Sequence, residues 1–158
     1  LALAGIGLMA GASPAMAQYW THYANIRFGY ETDIPPHYVG QGQSFNGDGQ
    51  VFLLPGGLQS LTVWGGNFYE DQQSLAAIAD SLVALDLENG LSVSYRTSTP
   101  QWAVWSGTIG SRVIYQRMIL LCDGASYAGL RSEYERNDLN AMHDVIEGLV
   151  RSFKGTDC

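Results

Sequence analysis

Lysine is almost absent from this chain of 158 residues. Lys154 is the only one, and with scattered arginines it makes eight basic residues against fifteen acidic, a net charge of −7. Phosphate backbones and anionic lipid surfaces are gripped by clustered Lys and Arg, so neither nucleic acid nor a membrane surface is an expected partner. Histidine is scarce as well: His22, His37 and His143 are the whole set, and none stands at metal-ligand spacing with a cysteine or a second histidine. A zinc site needs three or four converging ligands, so no metal is expected, and no cofactor motif is present either. Cysteine is limited to Cys122 and Cys158, without the C-x-x-C spacing of a redox pair. No apolar run is long enough to span a bilayer.

The N-terminal apolar stretch has another reading. Leu1–Ala10 is small and apolar, it is followed by Gly and Pro, and Ala15-Met16-Ala17 fits the A-x-A cleavage rule. Residues 1–17 are therefore read as the remnant of a secretory signal peptide, and 18–158 as one exported domain, periplasmic or secreted, with no membrane span in its mature form. In an oxidising compartment an even cysteine count favours a Cys122–Cys158 disulfide, worth about 4 kcal/mol in the chain-entropy model. The alternatives are a buried Cys122 beside a free Cys158, or a redox pair.

The clearest local signal lies between Ser111 and Tyr134. Arg112–Cys122 and Ser126–Tyr134 are apolar-rich runs joined at Asp123-Gly124, a pair that favours a type I′ hairpin turn. Asn137–Phe153 follows with Leu139, Met142, Ile146, Leu149, Val150 and Phe153 at helical spacing. An earlier helix is expected over Asp71–Leu87, capped by Asp71, with Leu75, Ile78, Ala79, Leu82 and Leu85 forming its stripe.

The remaining segments read as strands and turns. Asn25–Ile34 alternates, Ile26, Phe28 and Tyr30 against Arg27, Gly29 and Glu31, and ends at Pro35-Pro36. Gly40–Gly49 reads as a loop. Gln50–Leu54 and Leu58–Gly65 form a hairpin over Pro55-Gly56-Gly57, and Leu91–Tyr95 and Gln101–Thr108 are further strands. Three strands, a helix, four strands and a helix argue for an α+β domain: a twisted antiparallel sheet of six to seven strands with two main helices packed on it.

The run Tyr23-Ala24-Asn25-Ile26-Arg27-Phe28-Gly29-Tyr30, then Asn46-Gly47-Asp48-Gly49-Gln50, and Ser106-Gly107 before Tyr115 resemble a group of small exported bacterial proteins with a PsbP-like fold. Proteins of that fold serve mainly as accessory or binding proteins, among them an extrinsic photosystem subunit, a Ran-GTPase binder and envelope proteins. The resemblance implies a non-catalytic role and transfers no catalytic residue; the photosynthetic role is not carried over.

Candidate chemistry is thin. Ser44–Gly49 resembles the start of a calcium loop, but an EF-hand needs an acid where Ser44 stands and a Glu where Pro55 stands, which leaves only Asn46 and Asp48 as side-chain ligands. Gly107–Ser111 lacks the nucleophile-elbow order, with Ser106 before the first Gly and Ser111 after the second. Paired carboxylates such as Glu133 and Glu135, at i, i+2, share a strand face, which acid/base work requires. Trp64, Trp102 and Trp105 are the candidate ligand-binding residues. Trp102 and Trp105 lie on opposite faces of one strand, so covering one face with helices leaves one of them partly exposed.

The function these features favour is a non-enzymatic exported binding or accessory protein that contacts an envelope protein or small ligand. The alternatives are an envelope hydrolase using an acid pair or a Ser/His site, and an assembly protein working through an exposed sheet edge.

Overall fold

The computed structural model describes residues 19–56 and 58–158. The expected signal peptide and Gly57 of the Pro55-Gly56-Gly57 turn lie outside the described residues.

The first departure from the sequence reading is at Asn25. The expected strand Asn25–Ile34 is a hairpin, β1 (Thr21–Asn25) and β2 (Tyr30–Ile34), paired from Thr21↔Ile34 to Asn25↔Tyr30. Asn25 breaks the strand because its Oδ1 accepts the Phe28 amide at 2.9 Å, while its carbonyl accepts the Gly29 amide at 2.9 Å. Gly29 turns at φ 73°, a conformation that costs a glycine little. Ile26 therefore sits at the turn, 96% exposed, and not on a core face.

The region expected as a loop over Gly40–Gly49 holds β3 (Val39–Gln43), which pairs with β4 (Gly49–Leu53). β3 is exposed along its whole length, so it carries none of the alternation that marks a half-buried strand. β5 (Ser60–Asn67) completes this part, giving five strands before the first helix where three were expected.

Helix α1 (Leu75–Glu88) begins later than expected. Ser74, not Asp71, is its cap, with Oγ accepting the Ala77 amide at 3.1 Å. After it come β6 (Ser92–Ser98), β7 (Trp102–Ile109), β8 (Arg112–Leu120) and β9 (Ser126–Glu135), an antiparallel meander as expected. The β8–β9 turn differs in type. Gly124 has φ 65° and Asp123 does not share that region, so the turn is not type I′. The Gly124 amide bonds back to the Leu121 carbonyl at 3.0 Å, and the Asp123 carboxylate takes the Ala125 and Ser126 amides at 2.9 and 3.0 Å. Those bonds hold the Asp123 carboxyl below the usual carboxylate range. A short 3₁₀ turn, Arg136–Asp138, leads into helix α2 (Leu139–Ser152), and Lys154–Gly155 forms β10.

The protein is α+β. One sheet has the order β3-β4-β5-β9-β8-β7-β6, all antiparallel, and a second has β1-β2-β10. On one face of the larger sheet, α1 buries Leu75, Ile78, Ala79 and Val83 against Ala103, Trp105, Ile114 and Met118. On the other, Leu149 of α2, Phe153 and Tyr30 and Ile34 of β2 pack on Leu61, Val63, Ile119, Ala128 and Leu130. α2 and the small sheet pack on part of that second face, and Tyr95 at its β6 edge is 55% exposed. Cys122 and Cys158 form a disulfide with Cα atoms 5.1 Å apart, tying the β8–β9 turn to the segment after β10. Among the described residues no helix is long and apolar enough to cross a membrane.

Candidate functional site

The second face is built from alternate residues of β8 and their cross-strand partners. Tyr115, Arg117 and Ile119 point to one side of β8, and their neighbours on β7 are Ser106, Val104 and Trp102. One strand further out, Tyr95 and Thr97 of β6 pair with Ser106 and Val104. Val104 and Ile119 are buried here, Trp102 and Tyr115 pack against the same core, and the face opens toward β6. Tyr95 is 55% exposed, and Trp102 and Arg117 are half-buried.

Arg117 is the unusual member. Its guanidinium carbon lies 5.2 Å from the Trp102 ring centroid, within cation–π range. Its Nε is buried and has no hydrogen-bond partner. Leaving a buried donor unsatisfied costs about 1–3 kcal/mol, and stacking on an indole offsets only about 0.5–2 kcal/mol of that. Burial pushes the Tyr115 hydroxyl above the ordinary tyrosine range, while the charge of Arg117 and a hydrogen bond to it oppose that shift. The other half-buried arginines differ: Arg112 meets Glu135 at 3.2 Å, and Arg131 meets Asp86 at 2.9 Å and Glu133 at 3.2 Å.

Beside Tyr115 the face deepens into a cleft of about 480 Å³ between α2 and the strands. Ser94, Ser106, Tyr115 and Tyr134 line its floor, and Asn140, His143 and Ile146 its wall. Another cleft, about 550 Å³, opens at the small sheet, where Trp20, His22, Glu31, Asp33, Arg151 and Lys154 mix charges of both signs. There His22 is bracketed by Asp33 at 3.0 Å and Glu31 at 3.2 Å, so its two ring nitrogens face different carboxylates and do not converge with them on one point.

The three candidate tryptophans part company. Trp102 is on the second face. Trp105 is 1% exposed beneath α1, where its Nε1 donates to Asp86 Oδ2 at 2.8 Å, and this removes it from the candidate ligand surface. Trp64 is half-buried and lies across Gly129, where a Cβ would collide with its ring; it also borders a shallow cleft of about 220 Å³ with Val51 and Thr62. The protein therefore does not bring the three indoles together.

The minor candidates are occupied by local contacts. Ser44 Oγ accepts the Asp48 and Gly49 amides at 3.1 and 3.2 Å and donates to Asp48 Oδ1 at 2.5 Å, so the calcium-like loop closes on itself. Glu133 and Glu135 are held by separate arginines, Arg131 and Arg112. His37 is exposed at φ 70° after the Pro-Pro turn. His143, Asp144 and Glu147 place one ligand atom each within 4.8 Å of one another, but all three are exposed on one turn of α2. Both edges of the large sheet carry an irregularity, between Gly40 and Gln43 in β3 and between Val93 and Tyr95 in β6, which blunts them for strand addition.

Two features were missed from sequence. The buried Asp86–Arg131–Gln116 network under α1 joins residues far apart in the chain and leaves no local signal. Arg117 did leave one: alternation along β8 places it on the same side as Tyr115 and Ile119, a core-facing position occupied by a cation.

No protein-family model and no curated protein sequence matches the chain. Solved structures do. The solution structure of cyanobacterial PsbP (CyanoP) from Synechocystis superposes with a TM-score of 0.63 at 13% identity, covering 94% of this chain and 99% of that one. The Saccharomyces cerevisiae Ran-binding protein Mog1p matches with a TM-score of 0.60 at 12% identity, covering 89% of this chain and 97% of that one. A point mutant of Mog1 gives 0.59 at 12% identity, covering 88% and 97%. At such identities the likeness shows the fold alone, and the PsbP-like expectation is met.

Proposed function

We propose that this protein is a non-enzymatic binding or accessory protein of an oxidising, extracytoplasmic compartment, and that it docks a partner on the β6–β7 part of its second sheet face. The observation that carries this reading is Arg117, a half-buried cation that stacks on Trp102 and meets no carboxylate among the described residues. A protein at −7 has acids in excess to pair its arginines, yet Arg117 sits among aromatic side chains instead. Tyr95 and Trp102 supply the large apolar contacts typical of docking surfaces. The disulfide supports the compartment. A Ran-binding neighbour of the same fold supports protein contact as its mode of action. The hydrolase alternative loses its acid pair to Arg112 and Arg131.

The test compares wild-type protein with Tyr95→Ser and Trp102→Ala in quantitative capture from envelope extract, beside an esterase, glycosidase and peptidase panel. A stoichiometric partner lost with both face variants is the expected result. Turnover of any panel substrate that disappears on changing one acid, Ser or His overturns the reading, as does a partner whose capture ignores both face variants.

A further inference from the structure

Arg117 also specifies what the face binds, an inference that rests on the docking role proposed above. We propose that its guanidinium anchors a single Asp or Glu carboxylate presented by a protein partner, with a neighbouring apolar side chain of that partner lying on Trp102. A guanidinium is a planar fork that matches a carboxylate, and burial beside an indole strengthens such a pair relative to water. Its Nε is already buried by this chain, so the carboxylate would meet the Nη nitrogens.

The geometry separates a protein from a small molecule. Small ligands are held in concave sites that enclose most of their surface. Neither Arg117 nor Trp102 lines any of the clefts described above; the cleft beside α2 reaches only Tyr115. A flat patch of Trp, Tyr and Arg is the composition of a protein–protein hot spot. The net charge of −7 narrows the partner further. A run of acids, or a second copy of this chain, would be repelled at long range, whereas one carboxylate with apolar flanks meets only the local charge of Arg117.

The test is selection of a displayed random 12-residue peptide library on the full-length, oxidised protein, followed by Kd measurement for one selected peptide and its Glu→Gln or Asp→Asn analogue. Selected peptides are expected to share one acid beside an apolar or aromatic residue. Changing that acid to its amide should weaken binding about 10- to 100-fold, the effect of a lost charge-assisted hydrogen bond. Arg117→Gln should weaken the acidic peptide equally and leave the amide analogue's Kd unchanged. Should Arg117→Gln fail to fold, the acid-to-amide comparison on wild-type protein, with the bound peptide mapped by NMR to Trp102, reads the same contact. Selection that yields no binder, binders without a shared acid, or acidic binders indifferent to Arg117→Gln overturns the proposal. Binders lost with Trp102→Ala but showing no preference for acid would remove the carboxylate while leaving the face a docking surface.

Discussion

Arg131 of β9 grips Asp86 of α1 with two nitrogens on two oxygens, Nη2 at 2.9 Å from Oδ1 and Nη1 at 3.0 Å from Oδ2. The same Oδ2 accepts the Trp105 indole at 2.8 Å, and Arg131 also donates to Gln116 at 2.7 Å. Asp86 is 6% exposed, so this cluster is the polar bolt between α1 and the sheet.

Removing one member strands the others in a buried site. Asp86→Ala should lower stability by about 3 kcal/mol, whereas Asp86→Leu combined with Arg131→Met should recover most of the loss, because no buried charge remains unpaired. Urea unfolding of the three proteins measures both effects. Equal losses in the single and double variants would show that the pair is not the source.

The Cys122–Cys158 bridge closes a loop with a sequence separation of 36. Replacing both cysteines by serine should cost about 4 kcal/mol in the chain-entropy model. The same loss should appear in wild-type protein treated with dithiothreitol, and reductant should leave the double-serine protein unchanged. Urea midpoints with and without reductant decide it.

His22 titrates above its ordinary value of 6.5, chiefly because of its hydrogen bond to Asp33, with burial opposing the shift and Glu31 adding to it. Its folded pKa exceeds its unfolded one, so the stability it contributes is complete below pH 6.5 and disappears as pH rises through the folded value. NMR titration of the imidazole should show the raised pKa in wild-type protein and a fall toward 6.5 in Asp33→Asn. An unchanged pKa in the variant would assign the shift elsewhere.

A Cβ at Gly129 would strike the Trp64 ring, which lies across the strand from it. Gly129→Ala should destabilise the protein by about 2 kcal/mol through overpacking, and Trp64→Leu in the same chain should relieve part of it. Thermal unfolding of the single and double variants tests the contact.

Both helices were readable because each buries one face and so repeats its apolar residues at the helical period. β7–β9 were readable from apolar-rich runs bounded by turn residues, and β6 from the alternation of Val93 and Tyr95, although it is exposed along nearly its whole length. β3 was not readable, since a strand exposed on both sides has no reason to alternate. Ile26 and Phe28 misled in the opposite sense: their spacing imitates a strand, while the Asn25 side chain competes with the ladder and turns the chain. For the site, sequence placed Trp102 and Trp105 on opposite faces correctly. It could not show which face α1 would cover, a matter settled by the Asp86 contact to Trp105.

β2 lies between partners from opposite ends of the described chain: Glu31 and Tyr30 pair with Lys154 and Gly155. A chain made from its N-terminus cannot form that ladder until Lys154 and Gly155 have been added. At about 5–20 residues per second, the interval between Glu31 and Lys154 is roughly 6–25 s. Throughout it Tyr30 and Ile34, both at or below 1% exposure in the finished protein, lack the C-terminal elements that cover them. Until Lys154 is in place the β1–β2 hairpin stands with its apolar side incompletely buried, so this part of the fold is completed last.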